Sequence, residues 1–446
     1  MTYQAIVIGA DADALVAAHL LARGGRRVLA IEEHTAPAAD LGWVPAQVTR
    51  ELGLHLSVQA PDPWATVYVP DGGELELWRD VGRSAEAIRR FSERDARRWP
   101  DFCRRMAALA RLFETLYMEA PANPLNVRLA IRVRGLGREG MVDLMRLLPM
   151  SVAELLDDWF ECDVLKGALG AMGILNLQQG PRSGGTAFRL LHHHVGAAPG
   201  TFRPPRSNLT ALLRERSGVE LKSARVAKLK ISSGRTAGVV LASGEELEAA
   251  IVVSGVDPRR TLIELADPVW LDPELTRALT HVRSRGVAAR ISFKAQPKGN
   301  EVVAPSLDYL ERAYDDVKYG GVSSAPYVET HPSGNGVELH LQYVPYQVKE
   351  DLVSVVRRLL PRLNAAPASV LTPPDLERLH GWPQGQPYHV ELALDQALWM
   401  RPLPELAQYK TPIEGLWLCG PGTHPGGGIP GASGYNCARA ILNEKR

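Results

Sequence analysis

Apolar positions open the chain as an almost continuous run and then change period. Tyr3–Ile8 is apolar except at Gln4 and stops at Gly9, which predicts a buried strand. Ala12–Arg23 carries its apolar residues at helical spacing, and Arg27–Ile31 is a second apolar run ending at Glu32. Strand, helix and strand in that order open a parallel sheet of the kind that carries a dinucleotide. From Ser84 to about Met118 the period is helical, with Pro100 marking a break or kink. Helical signals continue through residues 127–148 and again after Ser151, whose hydroxyl suits an N-cap. Residues 196–206, with two Gly and three Pro, predict a linker.

Strand signals return at Ala224–Ser232 and Arg235–Leu241, a hairpin around Ser233-Gly234. Ile251–Ser254, Ala288–Ala295 and Val337–Val344 also predict strands, and Glu350–Leu363 a helix. Residues 415–442 combine an apolar strand, a glycine-packed loop and a helix from about Ala432. The predicted class is α/β. A discontinuous Rossmann-like dinucleotide-type domain (1–75, 205–285 and 396–446) is interleaved with an α+β substrate domain (76–204 and 286–395).

Composition narrows the class little. The chain has 446 residues, enough for two or three domains, and 51 Lys+Arg against 50 Asp+Glu leave no field for nucleic acid. Four cysteines lie far apart with no CxxC, which reads as reduced thiols in a cytoplasmic protein. The apolar runs are too short to span a membrane.

Gly9, Ala10, Asp11, Ala12, Asp13 and Ala14 stand where a GxGxxG turn belongs, between strand and helix. Glu32 follows at the spacing at which a carboxylate reaches ribose hydroxyls. Asp11 replaces the glycine at which backbone must approach a pyrophosphate. A like-charge pair at ~4 Å and an effective dielectric of about 20 costs roughly 4 kcal/mol, or about three decades of affinity. At the other end, Gly420, Gly422, Gly426, Gly427, Gly428 and Gly431 leave backbone N–H groups uncovered, and the helix from Ala432 aims its positive end at the loop.

Residues 4–33, 252–266 and above all 387–442 resemble the phytoene-desaturase-like flavoproteins of the glutathione-reductase-type FAD superfamily. The resemblance implies a two-domain FAD fold, a mobile or apolar substrate, and oxidation or isomerisation at carbon. It assigns Gly9, Ala10, Glu32, Val226, Gly420, Gly422, Thr423, Gly428, Gly431 and Ala432 to the cofactor, with the Val226 backbone at the adenine, and places His424 near the flavin edge. Three stretches depart from the pattern. Besides Asp11, the loop that usually follows the ribose-binding acid is missing after Glu32, and Arg203–Asn208 stands where the family carries a Gly-Gly pair.

His424 and His389 are the candidate acid/base residues, each with a bracing role as its plainer reading. Glu391, Asp395 and Arg401 share the segment of His389 and suit a buried pair bracing the crossover. His192–His194 lack the spacing of a metal site, so no metal is expected. Arg128, Arg132, Arg134 and Arg138 among apolar residues suit an ordinary solvated face better than a peripheral membrane contact. Two functions follow. One is an FAD-dependent oxidoreductase with weakened FAD binding, acting on a hydrophobic or medium-sized organic substrate. The other is a flavin-free descendant that binds a protein partner or serves as a scaffold.

Overall fold

A strand hydrogen-bonded on both sides and covered on both faces needs apolar residues at every position, and Ala5–Ile8 meets that demand. In the computed structural model, which describes residues 3–69, 72–121, 127–334 and 336–444, this strand is the centre of a five-stranded parallel sheet. The order across it is Leu416–Leu418, Ile251–Ser254, Ala5–Ile8, Val28–Glu32 and Glu220–Ser223. Ala5 and Val7 face the helix side, against Ala12–Arg23 and the last helix, Ala432–Asn443. Ile6 and Ile8 face the other way, toward the three-stranded sheet of Val226–Ser232, Arg235–Leu241 and Glu246–Glu248.

A second, seven-stranded sheet runs Pro367–Leu371, Ala288–Phe293, Gly336–Gln342, Val328–Ser333, Glu301–Val303, Ala65–Tyr68 and Glu74–Leu77. Ala65–Tyr68 pairs parallel to Glu301–Val303, so the boundary expected at residue 75 falls too late. The two N-terminal strands beyond residue 64 belong to the sheet of the insertions, because that is where their buried faces find apolar partners. Helices Glu93–Leu116, Val152–Trp159, Asp163–Ile174 and Thr186–His194 contribute to its large core.

Two local expectations are corrected. The helical stretch from Ser84 breaks at Ser92, not at Pro100: Ser92 caps Glu93–Leu116 by accepting from Asp95 N, while Pro100 sits inside the helix. Residues 196–206 are not a free linker, since Phe202 and Arg203 are buried and Phe202 stacks on His194 at 4.4 Å. Trp64 Nε1 donates to Gly200 O at 2.8 Å, which ties the segment to the seven-stranded sheet. Ser151 does form a capping box with Glu154. Helix Val127–Arg134 buries no side chain, and Gly137–Leu147 buries Leu144 and Leu147. No helix among the described residues is long and apolar enough to cross a membrane.

Candidate functional site

The first and last helices cross almost backbone to backbone. A Cβ on Gly434 would lie 1.8 Å from Asp13 O, so only glycine allows the approach. The crossing brings two helix N-termini together, and each would present uncovered N–H groups and a partial positive charge to an anion. Here the chain supplies a carboxyl to each. Asp11 is the N-cap of Ala12–Arg23 and accepts from Ala14 N at 2.8 Å. Asp13 accepts from Gly434 N at 3.3 Å, in the first turn of the last helix, so it caps that helix.

Both carboxyls are held above their ordinary pKa. Burial lifts Asp11 to about 6, against the pull of the Ala14 N–H and with a further push from Asp40. Burial and then the neighbouring Asp11 charge raise Asp13. Asp40 is also raised by burial, although Thr210 donates to it through its N–H (2.8 Å) and its hydroxyl (2.5 Å). The crevice that Asp11, Asp13 and Asp40 share with Arg290, Trp382 and Tyr388 has a volume of about 100 Å³.

The expected ribose and adenine contacts have protein partners. Glu32 is bound in bidentate fashion by Arg214, with Nη2 to Oε2 at 2.9 Å. Val226 N donates to Glu33, whose carboxylate also pairs with Arg260 at 2.6 Å. Gly9 has φ +114° and its N–H donates to Ile31 O at 2.9 Å, so it turns the chain off the strand, and Ala10 is buried after it.

The C-terminal glycine loop is built as its composition demands. Gly420, Gly426, Gly428 and Gly431 all have positive φ, and a Cβ on Gly420 would stand 2.4 Å from Gly255 O. Gly422 packs against Pro258, and Thr423 donates to Gly420 O while its hydroxyl meets Ser433. Gly431 caps the helix that begins at Ala432. The segment that replaces the missing loop covers this structure. Trp43 N donates to Gly428 O at 3.1 Å, and Gly42 packs so closely that a Cβ would lie 1.9 Å from the same oxygen. On the other side His192 Nε2 meets Gly427 O at 2.8 Å, and its Nδ1 meets the Tyr117 hydroxyl at 2.7 Å.

His424 is buried with Nε2 3.2 Å from Leu116 O, and burial lowers its pKa to about 4. His389 is buried with φ +57°, and burial followed by the Arg401 charge lowers its pKa to about 3. Both rings are therefore neutral at physiological pH, and neither borders the crevice of Asp11 and Asp13. Arg401 is fully buried and donates to six backbone carbonyls, those of Pro421, Thr423, Glu391, Gln396, Tyr388 and Val390. Glu391 pairs with Arg285 (2.6 Å) and Arg283, so the crossover brace takes its arginines from residues 283–285. His192, His193 and His194 each meet a different backbone carbonyl, and no group of His, Cys, Asp or Glu among the described residues could hold a metal. Asp13 and Arg214 went unread in the sequence. The Asp-x-Asp at a helix start was a signal for the first, whereas Arg214 lies 182 residues from Glu32 with none.

A profile of the flavin containing amine oxidoreductases matches residues 46–442. Mouse pyridine nucleotide-disulfide oxidoreductase domain-containing protein 2 is 27% identical over an alignment that covers 99% of this chain and 94% of the mouse protein. That alignment runs to 543 positions against 446 residues here, so stretches of the mouse protein have no counterpart. Hydroxyneurosporene desaturase of Cereibacter sphaeroides is 25% identical, with 98% of this chain and 97% of the desaturase covered. Among solved structures, a putrescine oxidase redesigned in its cofactor binding superposes with a TM-score of 0.61 at 13% identity, covering 99% and 98% of the two chains. This last likeness is one of fold.

Proposed function

This chain belongs to the flavin-containing amine oxidoreductase family, and from that premise we propose that it is a flavin-free member which binds an apolar small molecule without oxidising it at an FAD of its own. The observation that carries the reading is the pair of internal caps. Asp11 and Asp13 occupy the two helix N-termini that the fold offers to an anionic cofactor. A pyrophosphate entering beside Asp11, ionised above about pH 6, would meet a like charge worth about 4 kcal/mol at ~4 Å and an effective dielectric of about 20. Arg214 takes both oxygens of Glu32, and Glu33 takes the Val226 N–H, so the remaining contacts are spent as well. The crevice between the helix ends, at about 100 Å³, falls below the ~300–1,000 Å³ of pockets that enclose organic ligands. These residues do not fit FAD in the family's manner.

A second reading keeps the flavin, weakly held, and an oxidoreductase acting on a hydrophobic substrate. The observation in its favour is the C-terminal loop, whose positive-φ glycines and helix start at Ala432 persist. The absorption spectrum of the purified protein, followed by titration with FAD, separates the two. A colourless protein that does not respond to FAD supports the first reading. A stoichiometric flavin spectrum overturns it in favour of the second.

A further inference from the structure

We propose that the cavity walled by Trp43 and Trp64 binds an apolar molecule that ends in a carboxylate, the head at Arg79 and the apolar body between the tryptophans. The cavity has a volume of about 700 Å³, within the range of small-molecule sites. Its walls include Trp43, Leu56, Val58, Trp64 and Pro204, which suit an apolar body. Its charged lining has one sign: Arg79, Arg203 and Arg206 border it and no Asp or Glu does.

The three arginines are not equivalent. Arg203 pairs with Glu329 at 2.9 Å and Arg206 with Glu338 at 3.2 Å, and neither glutamate borders the cavity. Arg79 is exposed, and among the described residues its guanidinium has no ion pair or hydrogen bond. It is the cation left for a ligand, at a position reached by solvent, where an amphipathic acid would keep its head. The wall behind this lining is polar as well. Arg206 Nε, Ser207 Oγ, Thr201 Oγ1 and Asn300 Oδ1 are buried and have no partner, and all four residues line this one cavity. Arginine is also the side chain best matched to a carboxylate.

The assignment deepens the flavin-free reading by naming the ligand's chemistry. The test uses the full chain and three probes with the same tail, each below its micellar concentration: laurate, 1-dodecanol and dodecyltrimethylammonium. Binding is followed by tryptophan fluorescence and calorimetry. Laurate is expected to bind at least tenfold more tightly than the alcohol, and the ammonium most weakly. Arg79→Gln is expected to remove most of that preference and leave the alcohol unchanged. Ala60→Trp, which adds bulk at an exposed wall position, should weaken all three. Equal binding of acid and alcohol, or a laurate preference that survives Arg79→Gln, overturns the proposal. The flavin spectrum of the same preparations keeps the outcomes separate. Yellow protein that prefers laurate defeats only the flavin-free reading, and colourless protein without the preference defeats only this one.

Discussion

Replacing Asp11 by Asn should stabilise this protein at neutral pH and do little in acid. The side chain caps Ala12–Arg23 through one oxygen, and Asn caps a helix about as well as Asp. What Asn removes is the charge. Burial lifts the folded-state pKa to about 6 from an ordinary 3.8, so between those values the folded chain holds a proton that the unfolded chain has released. Stability therefore falls as pH rises through that window, and the full penalty remains above it. A shift of 2.2 units at 1.36 kcal/mol per unit is about 3 kcal/mol, and settling a new amide in a buried site returns part of it. The expected gain is about 1–3 kcal/mol at pH 7.5 and near zero at pH 4. Unfolding entropy of about 2.1 cal/mol/K per residue over 446 residues turns that gain into roughly 1–3 °C of melting temperature. Urea unfolding and thermal melts of both proteins at pH 4, 6 and 7.5 test it. A gain of equal size at every pH, or a loss at pH 7.5, would show that Asp11 is not a buried charge under strain.

Gly434→Val places a side chain where even a Cβ would lie 1.8 Å from Asp13 O, and should cost more than about 3 kcal/mol, read as a lower urea midpoint. Gly428→Val forces a β-branched residue to φ +93° and should cost about 1–3 kcal/mol in flavin-free protein, seen in melts without cofactor. Glu391→Gln leaves Arg283 and Arg285 without their buried partner. The two arginines are partly exposed, so the expected loss is about 2–4 kcal/mol in the same unfolding assay.

Elements whose partners are close in sequence were legible. The opening strand, helix and strand, the hairpin at Ser233-Gly234 and the capping box at Ser151 each carry their signal within a few residues. Strands Ala65–Tyr68 and Glu74–Leu77 do not. Each is four residues long, and the partner of the first, Glu301–Val303, lies more than two hundred residues on, so nothing local says which sheet they join. Pro100 misled because its missing N–H costs one bond within a helix of 24 residues, while Ser92 with Asp95 marked the true start. Residues 196–206 misled for another reason. Gly and Pro describe a backbone without regular structure, and say nothing about whether Trp64 and His194 will bury it.

The candidate site divides along the same line. The sequence placed Asp11 at the turn, and its reading as a charge opposed to a pyrophosphate needed no structure. That reading assumed an open cradle with one intruding side chain. The folded chain has closed it with pieces from four distant segments. Asp13 caps a helix more than four hundred residues away, Arg214 reaches Glu32, Glu33 reaches Val226, and Gly42-Trp43 covers Gly428. Each closure satisfies a group that would otherwise be left orphaned beside an empty channel, at a cost comparable to a lost hydrogen bond for each. A chain that had lost only its glycine would bind its cofactor less tightly. On the flavin-free reading, one that has also supplied its own partner to each helix end, to the ribose acid and to the adenine-facing backbone would have to lose those bonds before a cofactor entered, and the closures would oppose binding jointly. Reverting Asp11 to Gly would accordingly recover little affinity for FAD while Asp13, Arg214 and Glu33 remain in place.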